Sequence, residues 1–160
     1  MSTVDRDRDQ AGRPRNARPR DELGRPLGYG ESGVPTIPED LVLTPDEALS
    51  QAQQLLDDGH AFQAHEVLEA VWKAAPESER NLWRGLAQLA VGLTHAQRGN
   101  RVGAARLLRR GADRIEPWEA QPPHQIDVTG LMTWAASTAE RLEVSPTDEL
   151  PPPQLTRADR

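Results

Sequence analysis

The sequence predicts an all-α fold, a helical bundle of about five helices built on two antiparallel helical hairpins. Three observations predict it. Apolar residues recur at helical spacing in five stretches between positions 44 and 144. Prolines stand only at the edges of those stretches: between Pro45 and Pro117 the one other proline is Pro76, and a proline inside a helix costs about 3 kcal/mol. Gly59 and Gly99 fall where two of the stretches end, as left-handed helix stops do.

Residues 1–43 precede the bundle. Arg6, Arg8, Arg13, Arg15, Arg18, Arg20 and Arg25 interleave with Asp5, Asp7, Asp9 and with glycine and proline, and there is almost no large apolar residue before Leu23. Such a mixed-charge stretch buries too little to offset backbone ordering and reads as a disordered tail. Leu23, Leu27, Tyr29, Val34, Ile37 and Leu41 are spaced more regularly, so 23–43 reads either as free chain or as an extended segment laid over the domain.

The first helix starts at Thr44-Pro45-Asp46-Glu47, a reciprocal capping pair with proline at the first helical position. Leu49, Ala52, Leu55 and Leu56 give it an apolar face. The second, over about 61–75, turns Ala61, Ala64, Leu68, Val71, Trp72 and Ala75 inward, with Glu66 and Lys73 opposite. The third opens after Pro76 and runs over about 77–98; Leu82, Trp83, Leu86, Leu89, Ala90 and Leu93 make it the most apolar and the expected centre. The fourth, over about 101–115, is expected to pack Val102, Ala105, Leu107, Leu108 and Ile115. A linker with Pro117, Pro122 and Pro123 leads to Asp127, a cap for a fifth helix over about 128–144 that presents Leu131, Trp134, Ala135, Thr138 and Leu142. Pro146 and Pro151 to Pro153 mark 145–160 as a disordered C-terminal tail.

A weak internal repeat supports the hairpin reading. Laid on one another at an offset of 40, Leu49 meets Leu89, Gly59 meets Gly99, Ala64 meets Ala104 and Leu68 meets Leu108. The unit is a helix, a glycine stop and a second helix whose early alanine allows close approach. It is similar to the pairing of tetratricopeptide repeats, although their period is roughly 34 and their aromatic signature is missing. In this register Glu66 and Glu69 match Arg106 and Arg109, so an acidic second helix is expected beside a basic fourth one.

Bulk composition excludes several function classes. With no cysteine there is no thiolate nucleophile, thiolate–metal site or disulfide. A net charge of −6 argues against the broad basic field of a nucleic-acid binder, so nucleic acid is not an expected partner. No stretch approaches the roughly 18 apolar residues of a membrane span, and the charged Met1 to Asp9 lacks a secretory pattern; a cytoplasmic address without membrane association is the expectation.

The segment Phe62-Gln63-Ala64-His65-Glu66-Val67-Leu68-Glu69-Ala70-Val71-Trp72 sets His65, Glu69 and Trp72 on successive turns at one edge of the apolar face. In the repeat register His65 stands where the second hairpin has Ala105, so packing alone does not call for an imidazole. His65-Glu66-x-x-Glu69-x-x-Trp72, then Trp83-Arg84-Gly85-Leu86-Ala87-Gln88-Leu89-Ala90, Arg98-Gly99-Asn100 and Gly103-Ala104-Ala105-Arg106-Leu107-Leu108 together resemble the domain of unknown function 309 family over roughly 45–115. The resemblance implies a compact helical fold and brings no reaction or ligand with it.

If the second and third helices are antiparallel about Pro76, His65 lies level with Gln88, and Glu69 with Arg84, giving two expected polar pairs. Three readings of His65, Glu69, Trp72, Arg84 and Gln88 are open: a polar seam that fixes helix pairing, a ligand-binding or interaction site, and catalysis with His65 as a general base oriented by Glu69. No metal is expected, since His65 and Glu69 supply two ligands where a catalytic zinc takes three, and no cofactor motif is present. Arg106, Arg110 and Arg114 form a stripe able to bind phosphate, which reads first as a solvated face. The expectation carried forward is a binding or interaction module, with an unidentified small molecule or protein as partner. The alternative is a small hydrolase-like enzyme using His65 and Glu69.

Overall fold

In this computed structural model the structure describes residues 43–144 and 150–157, together with the backbone of a two-residue antiparallel pair, Asp7–Arg8 with Pro14–Arg15. The expectations for the rest of 1–43, including an extended run over 23–43, lie outside the described residues. Five helices follow in order: α1 (Pro45–Asp57), α2 (Ala61–Ala74), α3 (Glu77–Gln97), α4 (Arg101–Ile115) and α5 (Val128–Val144). Each packs on the next in sequence, so α3 lies between α2 and α4, and α4 between α3 and α5. The result is an all-α bundle with its core in the seams between successive helices.

The local chemistry of the sequence sets the helix ends. Thr44 Oγ1 accepts the Glu47 amide proton at 3.1 Å, and Glu47 Oε1 accepts the Thr44 amide proton at 2.9 Å, closing the capping box of α1. Gly59 and Gly99 adopt φ of +84° and +88°, the left-handed region that side chains with a Cβ avoid, and so stop α1 and α3. Asn100 and Asp127 accept the Gly103 and Gly130 amides, each at 3.1 Å, and start α4 and α5.

Trp83 is fully buried at the centre with Leu68, Leu82, Leu86, Leu108 and Leu131. Helices α3 and α4 cross closely. A Cβ built on Gly85 would sit 2.6 Å from Ile115 Cγ2 and 3.2 Å from the Gly111 carbonyl oxygen, and one on Gly111 would sit 2.8 Å from Leu89 Cδ2. Glycine at both positions lets the two backbones meet where larger residues would hold them apart.

Three expectations are corrected. Val102, expected in the core, is 71% exposed, because α4 turns Ala104, Ala105, Leu108, Gly111 and Ile115 inward and Val102 projects from the far side. The acidic second helix does not lie beside the basic fourth, since α3 stands between them; Arg109 instead makes a bidentate pair with Glu143 of α5. The third correction concerns residues 150–157 of the stretch 145–160 expected to be a disordered tail; 145–149 and 158–160 lie outside the described residues. Residues 150–157 dock on the bundle, with Leu155 1% exposed in the core. The Asp127 amide donates to the Leu155 carbonyl and the Arg157 amide to the Gln125 carbonyl, both at 2.9 Å, around an Ile126–Thr156 bridge. Gln53 of α1 donates to the Pro153 carbonyl at 2.9 Å and accepts from the Leu155 amide at 2.8 Å, while the Trp134 indole donates to the Pro151 carbonyl at 2.9 Å. Proline lacks an amide hydrogen but keeps its carbonyl, so at Pro151 and Pro153 the strap bonds through carbonyls to donors on other elements, while Leu155 and Arg157 donate their amides.

Candidate functional site

Helix α2 carries His65, Glu69 and Trp72 along one edge, as 3.6-residue periodicity requires. His65 Nε2 lies 3.4 Å from Glu69 Oε2, a contact within α2 between successive turns. Lys73 Nζ lies 3.7 Å from the other oxygen of Glu69. The hydrogen bond from His65 is the main cause holding the Glu69 carboxyl below its usual range; burial opposes it, and the His65 and Lys73 charges add to it. The imidazole is nearly enclosed, with 17% of its side chain exposed. Its ring sits 5.4 Å from that of Phe62, one turn earlier, and Nδ1 is shut away from solvent with no hydrogen-bond partner among the described residues.

Neither expected cross-helix pair forms. Arg84 does not meet Glu69: its guanidinium carbon lies 5.7 Å from the centre of the Trp72 ring, a cation–π contact between α3 and α2. Gln88 does not meet His65: its Oε1 accepts from Arg114 Nε of α4 at 3.1 Å. The physical reason is the position of α3 between two helices. Arg84 and Gln88 leave its outer edge, where α4 competes with α2 for their polar ends, and the close α3–α4 crossing favours α4 for Gln88. The structure thus gathers His65, Glu69 and Trp72 on α2 with Arg84 above the tryptophan, and ties Gln88 elsewhere.

Arg114 is held in place by neutral groups, donating also through Nη1 to Asn81 Oδ1 at 3.1 Å. Burial, then the nearby charges of Arg84 and Arg110, lower its pKa from the usual arginine value. A guanidinium starts so high that it stays protonated. Among the described residues Arg80, Arg84, Arg106, Arg110 and Arg114 make no ion pair with a carboxylate.

A second His–Glu contact was not legible in the sequence. His124 Nε2 lies 2.9 Å from Glu79 Oε1 and the imidazole stacks at 5.8 Å from the Trp83 ring, whose Nε1 donates to the same oxygen at 3.1 Å. Burial pushes the Glu79 carboxyl up, but hydrogen bonds from His124 and Trp83 and the His124 charge outweigh it and leave its pKa lowered. To reach Glu79 the linker holds His124 and Gln125 at φ of 57° and 59°, a left-handed backbone costing about 1 kcal/mol or more per residue. Glu79 also borders an apolar cavity of about 240 Å³ between α1, α2 and α3, lined by Leu43, Val71, Ala75 and Trp83 among others. Only the Glu79–Trp83 spacing of four was a signal in the sequence; the return of His124 was not.

Among the described residues no three His, Asp or Glu side chains gather as a metal would need, and no helix is long and apolar enough to cross a membrane. No solved structure matches the chain. A 48-residue stretch, 29% of this chain, is 48% identical to "Uncharacterized protein YpuF" of Bacillus subtilis (strain 168), and spans 28% of that protein. Residues 49–107, which hold most of α1, all of α2 and α3 with the His65–Glu69–Trp72 edge, and the first half of α4, match the family described as "Domain of unknown function (DUF309)".

Proposed function

We propose that the chain is a non-catalytic interaction module that docks a protein partner on the edge formed by Phe62, His65, Glu69 and Trp72 of α2 and Arg84 of α3. The observation that carries this reading is the contrast along that edge. His65 has one nitrogen facing Glu69 and the other enclosed, whereas a general base must reach the proton it removes. One turn further on, Trp72 is half-buried under an exposed Arg84, the pairing of residue types that dominates protein-binding hot spots. In this reading the His65–Glu69 contact braces the turn of α2 that presents Trp72, and Gln88 acts from behind, on the α4 side. The likeness of the α1–α2 and α3–α4 pairs to tetratricopeptide hairpins, and a cytoplasmic setting, belong to the same reading.

The test is photo-crosslinking in cells, with a photoreactive amino acid in place of exposed Lys73. A discrete crosslinked species that disappears with Arg84→Glu is the expected result. Persistence of every crosslinked species in Arg84→Glu refutes this docking edge. Rapid modification of His65 by diethyl pyrocarbonate in the folded chain refutes the enclosed imidazole and favours the enzymatic reading.

A further inference from the structure

The glycine-lined crossing of α3 and α4 has a consequence for charge. Because Gly85 and Gly111 let the helices meet closely, Arg84, which directly precedes Gly85, comes beside Arg114, whose Cβ would lie 3.3 Å from a Cβ at Gly85. Arg110 stands one turn before Arg114 on the same helix, the spacing that makes side chains neighbours. Three guanidiniums therefore share one seam. Such a cluster is self-repelling, and proteins usually offset it with carboxylates. Here none is paired to a carboxylate among the described residues; Asp113, next to Arg114 in the chain, holds none of them within ion-pair distance. The groups that orient the cluster are neutral: Gln88 and Asn81 fix Arg114, and the Trp72 ring supports Arg84. Arg110 is exposed and has no hydrogen-bond or ion-pair partner among the described residues.

We infer that Arg84, Arg110 and Arg114 form a binding site for a phosphate group. A planar fork of donors matches phosphate oxygens. Three guanidiniums close enough for the charges of Arg84 and Arg110 to act on Arg114 suit a compact anion that carries more than one negative charge, in preference to carboxylates spread along a chain. The inference deepens the reading above, since Arg84 serves both, and it gives that partner or a small phosphorylated compound a chemical signature. The acidic net charge of −6 does not oppose it, because a local cluster acts over about a Debye length, roughly 8 Å at physiological salt.

The experiment is an NMR titration of the full-length chain, following backbone amides and arginine Nε–H signals, at constant ionic strength. Its arms are inorganic phosphate, a short phosphoserine peptide, the same peptide with serine, and the same peptide with glutamate. Saturable shifts at Arg84, Arg110 and Arg114 with phosphate and phosphopeptide are expected, weakened about tenfold by Arg110→Gln, the loss of one charge-assisted contact. Arg110 is the position to alter because it leaves the Gln88 and Asn81 contacts intact; Arg84→Gln should act in the same sense. Tighter binding of the phosphopeptide assigns the source to a modified protein, and equal binding to inorganic phosphate assigns it to small phosphorylated compounds. Shifts reproduced by sodium chloride alone, an unchanged affinity in Arg110→Gln, or equal binding of the glutamate peptide overturns the inference. The titration uses the purified chain, so its failure leaves the Lys73 crosslink standing, while a phosphate response without a crosslinked species sinks the protein-docking reading alone.

Discussion

Replacing Leu155 by alanine tests whether the C-terminal strap is part of the fold. The side chain is 1% exposed and packs with the core residues of the bundle. Leu→Ala changes in cores cost about 2 to 5 kcal/mol, the lower end applying where surrounding structure can collapse into the space. Leu155 lies on a segment at the rim of the core, so about 2 to 3 kcal/mol is the expected loss. A second bound comes from topology. The substitution cannot cost more than undocking the whole strap, which carries the Gln53, Asp127, Gln125 and Trp134 hydrogen bonds, so a chain ending at 149 sets the ceiling. For a domain of this size 1 kcal/mol corresponds to roughly 3 to 6 °C in Tm, and Leu155→Ala should melt roughly 6 to 18 °C below the parent, with the truncated chain at least as low. Calorimetric melts of the two variants decide it. If both melt within about 2 °C of the parent, the strap does not contribute and the buried position of Leu155 has been misread.

The remaining predictions concern the site and its frame. Glu69→Ala should cost about 1 kcal/mol or less, because the Glu69 side chain is 39% exposed and its pairing is screened; the double variant His65→Leu/Glu69→Gln should melt closer to the parent than Glu69→Ala, and the reverse order in thermal melts would show that the pair does not brace α2. Gly85→Ala gains about 1 kcal/mol of helix propensity but forces a Cβ to 2.6 Å from Ile115 Cγ2, so a net loss of up to about 2 kcal/mol is expected; urea denaturation showing stabilisation would mean that α4 yields freely. The lowered Glu79 pKa contributes stability that is present above the unfolded value near 4.5 and lost as pH falls through the folded value. Glu79→Gln should therefore be the less stable protein at pH 7 and lose less than the parent between pH 5 and 3, in paired urea titrations; parallel pH profiles would remove Glu79 as a contributor. Elemental analysis should find zinc and iron well below one equivalent, and one equivalent that survives mild chelation and is lost with His65→Ala would reverse the metal reading.

The helices were legible because their signals are local. A capping box at Thr44 and Glu47, left-handed glycines at Gly59 and Gly99, Asp127 as a cap and apolar spacing within one helix act over one or two turns, and each reappears as a hydrogen bond, a φ angle or a buried face. The same holds for His65 and Glu69, whose contact lies within α2. Tertiary structure decided which side of α3 each polar chain serves. Helical spacing put Arg84 and Gln88 on one stripe but did not say that α4 would cross at Gly85 and Gly111, and that crossing drew Gln88 to Arg114 and left Arg84 over Trp72. It also decided the return of His124 to Glu79 and the docking of Leu155, since each joins residues far apart in the chain. Periodicity reports a face only when several residues repeat along it; one histidine in a linker or one leucine after three prolines has no period, and its place is set by the shape of the surface it meets.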